Sequence, residues 1–163
     1  MDADLPVPIQ QSPRLIEGLS AGADIAIGSR ALEGQLRELR APIHRRACSG
    51  IFRALVRALF DLDYQDTQCG FKAFTREAAN ELFALASIER WAFDVEILLL
   101  ARLFEYRVVE IAVDAYHRQG SRVNLCRDSV GVLNDLVRLR RNVYNRFCKS
   151  SHQLNHPLEM LKG

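Results

Sequence analysis

Extended segments are few in this sequence and lie far apart, and that scarcity limits the fold more than any other feature. Ala23-Asp24-Ile25-Ala26-Ile27 is a short apolar run that ends in the turn Gly28-Ser29-Arg30, as a buried strand does. Arg107 to His117 sets Val109, Ile111, Val113 and Ala115 against Val108, Glu110, Ala112 and Asp114, the period of two expected of a half-buried strand. Phe71-Lys72-Ala73-Phe74 is a third, shorter candidate. Everything between them reads as helix or loop, so helices must cover a small sheet. The alternation predicts α/β layering, with too few strands for a complete doubly wound sheet.

The helices announce themselves by spacing and by their caps. Ser12-Pro13-Arg14 opens a short helix to about Leu19, with proline in the first turn. Ile43, Ala47, Ile51, Ala54, Leu55, Ala58 and Leu59 recur at three and four, which predicts a helix over 43–60 with Arg45, Arg46, Arg53 and Arg57 off the apolar stripe. Thr75, with Ala78 three residues on, predicts a capped helix to about Leu85. Trp91 to Phe104 reads as a very apolar helix, and Ser129 to Phe147 as an amphipathic one bearing Arg138, Arg140, Arg141 and Arg146. Residues 149–163 show no pattern and are expected to be a frayed tail, which leaves 1–148 as the folded portion.

Composition excludes little else. With 163 residues, 48% hydrophobic and 26% charged, and a net charge of +2, the chain is neither wholly disordered nor membrane-embedded, and its charge names no partner. The longest apolar run falls well short of the roughly 20 residues that span a bilayer, so no transmembrane helix is expected. Cys48, Cys69, Cys126 and Cys148 lack metal-ligand spacing and are expected to be free thiols in a reducing compartment.

Asp2-Ala3-Asp4 places two carboxylates one residue apart, an arrangement that suits a hard divalent cation or merely an acidic, solvated end. The surroundings decide how it is read. After it come Gly28-Ser29-Arg30, then Arg45 with Ser49, then DTQCGFKAFTREAA from Asp66, ERWAFDVEILLLA from Glu89, EIAV from Glu110 and GSRV from Gly120. In that order, over about residues 1 to 141, these segments resemble the inverting, metal-dependent polyprenyl-phosphate hexosyltransferases of glycosyltransferase family 2, and the β-glucosyltransferase branch more than the mannosyltransferase branch.

The resemblance implies the C-terminal part of a GT-A fold, with an incomplete mixed sheet flanked by helices. It implies transfer of glucose from UDP-glucose to dolichyl or another polyprenyl phosphate with inversion. Mannosyl transfer from GDP-mannose is the alternative. Asp2 and Asp4 would be the DxD pair holding Mg²⁺ or Mn²⁺ against the donor diphosphate. Arg30, Arg45, Ser49 and Arg122 would bind phosphate oxygens, while Gln68 and Gly70 would line the sugar site. Asp66 would orient the acceptor or take a residual proton, or else simply cap the turn into Gly70; Asp94 is the second candidate. Trp91, Phe93, Phe71 and Phe74 are expected mostly in the core, and Cys69 as a small buried hydrophobe.

The basic helices predict contact with a membrane surface, at its cytoplasmic face, rather than with nucleic acid. The family also has a βαβ nucleotide-binding half ahead of the DxD, which these residues do not include. The chain is therefore expected to be a fragment, unstable alone because the strand beside Ile25 to Ile27 would be missing. The other outcome is an inactive remnant that acts as a membrane-associated binding module.

Overall fold

Strand β1, Ile25–Ser29, is buried at every position, because neighbours cover both its edges and both its faces. The computed structural model describes residues 7–32, 43–88, 92–114, 129–143, 145 and 147. Around β1 run α1 (Ser12–Ser20), α2 (Ile43–Phe60), β2 (Lys72–Phe74), α3 (Arg76–Leu85), α4 (Phe93–Leu103), β3 (Val108–Ala112) and α5 (Ser129–Val143). The sheet order is β2-β1-β3, with β2 antiparallel to β1 and β3 parallel to it. The α/β expectation is met as a small mixed sheet flanked by helices.

The pleat sorts β1 between two cores. Ile25 and Ile27 point into the larger one, with Phe52, Val56 and Phe60 of α2, Leu82 of α3, Leu98 and Leu99 of α4, and Leu136 and Leu139 of α5. Ala26 points into the smaller one, under α1, with Leu15, Cys69, Phe71 and Val113. Helix α1 comes close to the sheet through Gly18, where a Cβ would lie 2.7 Å from Ile111 Cδ1. Helix α4 is buried all round from Val95 to Ala101, as its unbroken apolar sequence requires. Burying Ile25 or Ile27 is worth roughly 1.5–3 kcal/mol each, so β1 anchors both layers.

The structure corrects two expectations. The run at 23–27 becomes a strand only from Ile25 and continues through Ser29, since Asp24 instead accepts at Oδ2 from Arg107 N–H (2.8 Å) and at its carbonyl from Thr75 N–H (2.8 Å). More importantly, no strand is missing beside Ile25 to Ile27: that segment is the centre of the sheet, paired on both edges. The strand predicted over 107–117 is regular over Val108–Ala112, half-buried throughout. Among the described residues, no helix is long and apolar enough to cross a membrane. Residues 149–163 lie outside the described residues.

Candidate functional site

The C-terminal end of β1 delivers Ser29 and Arg30 to the loop that follows α2. The Arg30 guanidinium grips the Asp66 carboxylate in a fork: Nε donates to Oδ2 (2.6 Å) and Nη2 to Oδ1 (2.9 Å), while the Arg30 backbone N–H also donates to Oδ2 (3.1 Å). A carboxylate offers about four acceptor positions, so three are occupied and one remains, on Oδ1. Asp66 is 11% exposed and Arg30 42%. Two of the guanidinium's five N–H groups go to Asp66.

The loop backbone is fixed from the sheet. Glu110 lies opposite Ile27 in the parallel pairing and so faces the larger helical layer. Its Oε1 accepts from the N–H groups of Gln65 (2.9 Å) and Asp66 (3.1 Å), and its Oε2 accepts from Gln65 N–H (3.0 Å). Arg53 of α2 donates to the Gln65 side-chain carbonyl (3.0 Å).

Lys72, the first residue of β2, holds the far end of the same loop. Its Nζ donates to Asp94 Oδ1 (2.5 Å), to the Cys69 carbonyl (2.7 Å) and to the Thr67 carbonyl (3.1 Å). All three ammonium protons are thereby satisfied, which is what a lysine side chain only 7% exposed needs. Asp94 sits in the first turn of α4, where the helix dipole favours a carboxylate. Glu96, two residues on, turns away and is spent on Ser87 N–H, Ser87 Oγ and Ile88 N–H, so the two carboxylates do not converge on one ligand.

Asp66, Gln68, Gly70 and, through Lys72, Asp94 are therefore gathered on a single loop, 65–71, with Arg30 beside it. Ser49 is half-buried in α2. Arg45 lies in the first turn of that helix, its side chain beyond what the structure describes. Asp2, Asp4, Arg122 and Trp91 lie outside the described residues. Among the described residues no group of three His, Cys, Asp or Glu side chains is placed to hold a metal ion.

Of the aromatics, Phe71 is buried in the smaller core. Phe74 and Phe93 pack on the larger core and flank Phe83 at centroid distances of 5.2 and 6.0 Å. Burial pushes the Cys69 thiol pKa up, and the nearby Asp66 charge raises it further, so this free, buried cysteine stays protonated and behaves as the small hydrophobe expected. Cys48, in contrast, is disulfide-bonded, which overturns the expectation of four free thiols; its partner lies outside the described residues.

The sequence reading did not single out Lys72 or Glu110. A lysine between Phe71 and Ala73, and a glutamate on an otherwise apolar strand, were the available signals. One buried polar atom is still unaccounted for: Ser29 Oγ, fully buried on the face of β1 that carries Ile25 and Ile27, has no hydrogen-bond partner among the described residues.

No protein-family model matches the chain. It is 44% identical over 89 residues to a dolichyl-phosphate β-glucosyltransferase of Dictyostelium discoideum, covering 55% of this chain and 27% of that protein. It is 45% identical over 100 residues to the Homo sapiens dolichyl-phosphate β-glucosyltransferase, covering 61% and 31%. With glycosyltransferase AglD of Haloferax volcanii it shares 33% identity over 138 residues, covering 84% and 22%. The chain thus spans between about a fifth and a third of the length of these relatives. The order of the motifs and these relatives agree: over the matched residues the chain is similar to dolichyl-phosphate β-glucosyltransferases and to a further glycosyltransferase.

Proposed function

We propose that this chain is part of a glucosyltransferase of GT-A fold that moves glucose from UDP-glucose to dolichyl or another polyprenyl phosphate with inversion, working peripherally at the cytoplasmic face of a membrane. The observation that carries the reading is the identity of about 45% to a dolichyl-phosphate β-glucosyltransferase, shared by a chain whose Arg30 and Asp66 meet at the end of the central strand.

The hydrogen bonding of Asp66 fits such a reaction. An alkyl phosphate has a second pKa near 6, so at neutral pH the acceptor is already largely a dianion and needs orientation more than deprotonation. A carboxylate with about three of its four acceptor positions taken is suited to fixing geometry. Arg30, Arg45, Ser49 and Arg122 would meet phosphate oxygens; a planar guanidinium fork matches that geometry. Gln68 and Gly70, on the loop that Glu110 and Lys72 hold rigid, would face the sugar. Asp2 and Asp4 would hold Mg²⁺ or Mn²⁺, which when bound neutralises charge on the leaving diphosphate.

The test is an assay of the protein expressed from its whole reading frame, with labelled UDP-glucose, Mg²⁺ and polyprenyl phosphate, measuring label extracted with the lipid. Glucosyl lipid that disappears with EDTA and in D66N supports the proposal. Transfer only from GDP-mannose, or binding of lipid without any transfer, overturns it.

A further inference from the structure

A second candidate site shares no residue with the Arg30–Asp66 loop. The last turn of α2, the middle of α4 and the last turns of α5 enclose a cleft of about 420 Å³, within the roughly 300–1,000 Å³ common for sites that hold small molecules. Its floor is apolar: Phe60 and Leu99 are each 1% exposed, and Val143 is buried. Its rim is of opposite character. Arg140 and Arg141 stand exposed at the mouth, and among the described residues neither makes an ion pair or a hydrogen bond. The carboxylates near this end of α2 are already taken, Asp61 by Arg102 (2.5 Å) and Asp63 by Arg57 (3.1 Å), so the charge at the mouth is not neutralised from within. Val137 and Leu133, one turn apart on α5 and 45% and 44% exposed, extend apolar surface from the rim.

An apolar floor beneath two uncompensated guanidiniums matches a ligand that is anionic at one end and aliphatic at the other. We propose that this cleft takes one chain of a phosphate-headed membrane lipid, with Arg140 and Arg141 on the headgroup, and so seats the domain on an anionic bilayer independently of the transfer site. A nucleotide does not suit it, because among the described residues no exposed aromatic face lines the cleft for a base to stack on. The cleft is too small for a folded partner, and a second copy of the chain would bring the same positive charge to the mouth. The inference rests on the cleft alone, so its test reads binding and not turnover.

Calorimetry on the purified chain would compare dodecyl phosphate below its micelle concentration with inorganic phosphate and with dodecyl maltoside. Sedimentation would compare vesicles of phosphatidylcholine with and without phosphatidic acid. The expected result is saturable binding of dodecyl phosphate alone, and recruitment only to the anionic vesicles. The double variant R140Q/R141Q should weaken vesicle binding about thirtyfold, from about fivefold per basic residue at an anionic surface. V137D, at the exposed rim, should weaken dodecyl phosphate, whereas R138Q, outside the cleft lining, should bind as the parent does. Equal binding of inorganic and dodecyl phosphate, or an equal loss from R138Q, would mean general attraction to a basic surface and would overturn the proposal. So would a V137D chain that folds normally and binds unchanged.

Discussion

Replacing Glu110 tests whether the candidate site is built from the sheet outward. The carboxylate accepts from two backbone N–H groups 44 and 45 residues away, and among the described residues those donors have no other acceptor. In E110A both lose their acceptor. Gln65 is exposed and half-buried Asp66 less so, so water can replace the first bond more readily than the second. Hydrogen bonds to charged groups contribute about 1.5–3 kcal/mol each; with the solvated donor discounted, E110A should cost about 2 kcal/mol. In E110Q the amide oxygen can take the place of Oε1 and keep both N–H groups served, while its NH₂ replaces Oε2 and meets the Gln65 N–H, donor against donor. That loss should be about 1 kcal/mol. Urea unfolding of the chain measures both, with the midpoint shifting and the slope unchanged. A melting temperature about 4–8 °C lower for the alanine variant is the equivalent signature for a chain of this size. If E110A is as stable as the parent, or E110Q falls as far as E110A, Glu110 is not what holds the loop.

Three other outcomes follow from the geometry. Ser29 Oγ is buried without a partner among the described residues, so S29A should be neutral or gain up to about 1 kcal/mol in thermal unfolding; a clear loss of stability would mean the hydroxyl is bonded in solution. A Cβ at Gly28 would lie 3.0 Å from the Phe71 carbonyl oxygen and 3.1 Å from Val113 Cγ2. G28A should therefore cost about 1–3 kcal/mol, and urea midpoints at or above the parent would contradict the close approach of β1 to residue 71. The hydrogen bond from Tyr106 to Glu81 (2.5 Å) pushes the phenol pKa from 10.0 up to about 12. Between those values the folded chain holds the proton and the unfolded chain has lost it, so this contribution to stability is complete below pH 10 and disappears as pH rises through 12. Ultraviolet titration should show a phenol ionising late that is absent in Y106F, and a phenol at Tyr106 ionising near 10 would remove the claim.

Local chemistry made much of the fold legible. The three-and-four spacing bounded α2 at 43–60, and the Thr75 hydroxyl accepts from Ala78 N–H as a capping threonine should. Glu96 and Asp94 diverge because residues two apart on a helix cannot share a face. What stayed hidden depends on contacts across long separations. Nothing near Ile25 says that its partners are Phe74 and Val108, so a central strand read as one with a missing neighbour. Likewise, nothing around Arg30 says that the sheet order brings Asp66, 36 residues on, within 2.6 Å of its Nε. Lys72 and Glu110 were passed over because a lone charge on a strand carries no sign of which backbone it will tie down.

The order of the sheet also sets a timetable for synthesis. Its central strand is made first, and the two edge strands that cover it arrive roughly 50 and 80 residues later, at Phe74 and Val108. At elongation rates of about 5–20 residues per second, an apolar segment that ends up wholly buried waits about 4–16 s for its parallel neighbour. Helix α1 can shield one face meanwhile, but the Ile25 and Ile27 face is covered only in stages, by α2 and α3 and then by α4 and α5. Nascent chains stopped between β1 and α4 should therefore be the ones that chaperones bind, and slowing translation in that interval should lower the yield of soluble protein more than slowing it after β3.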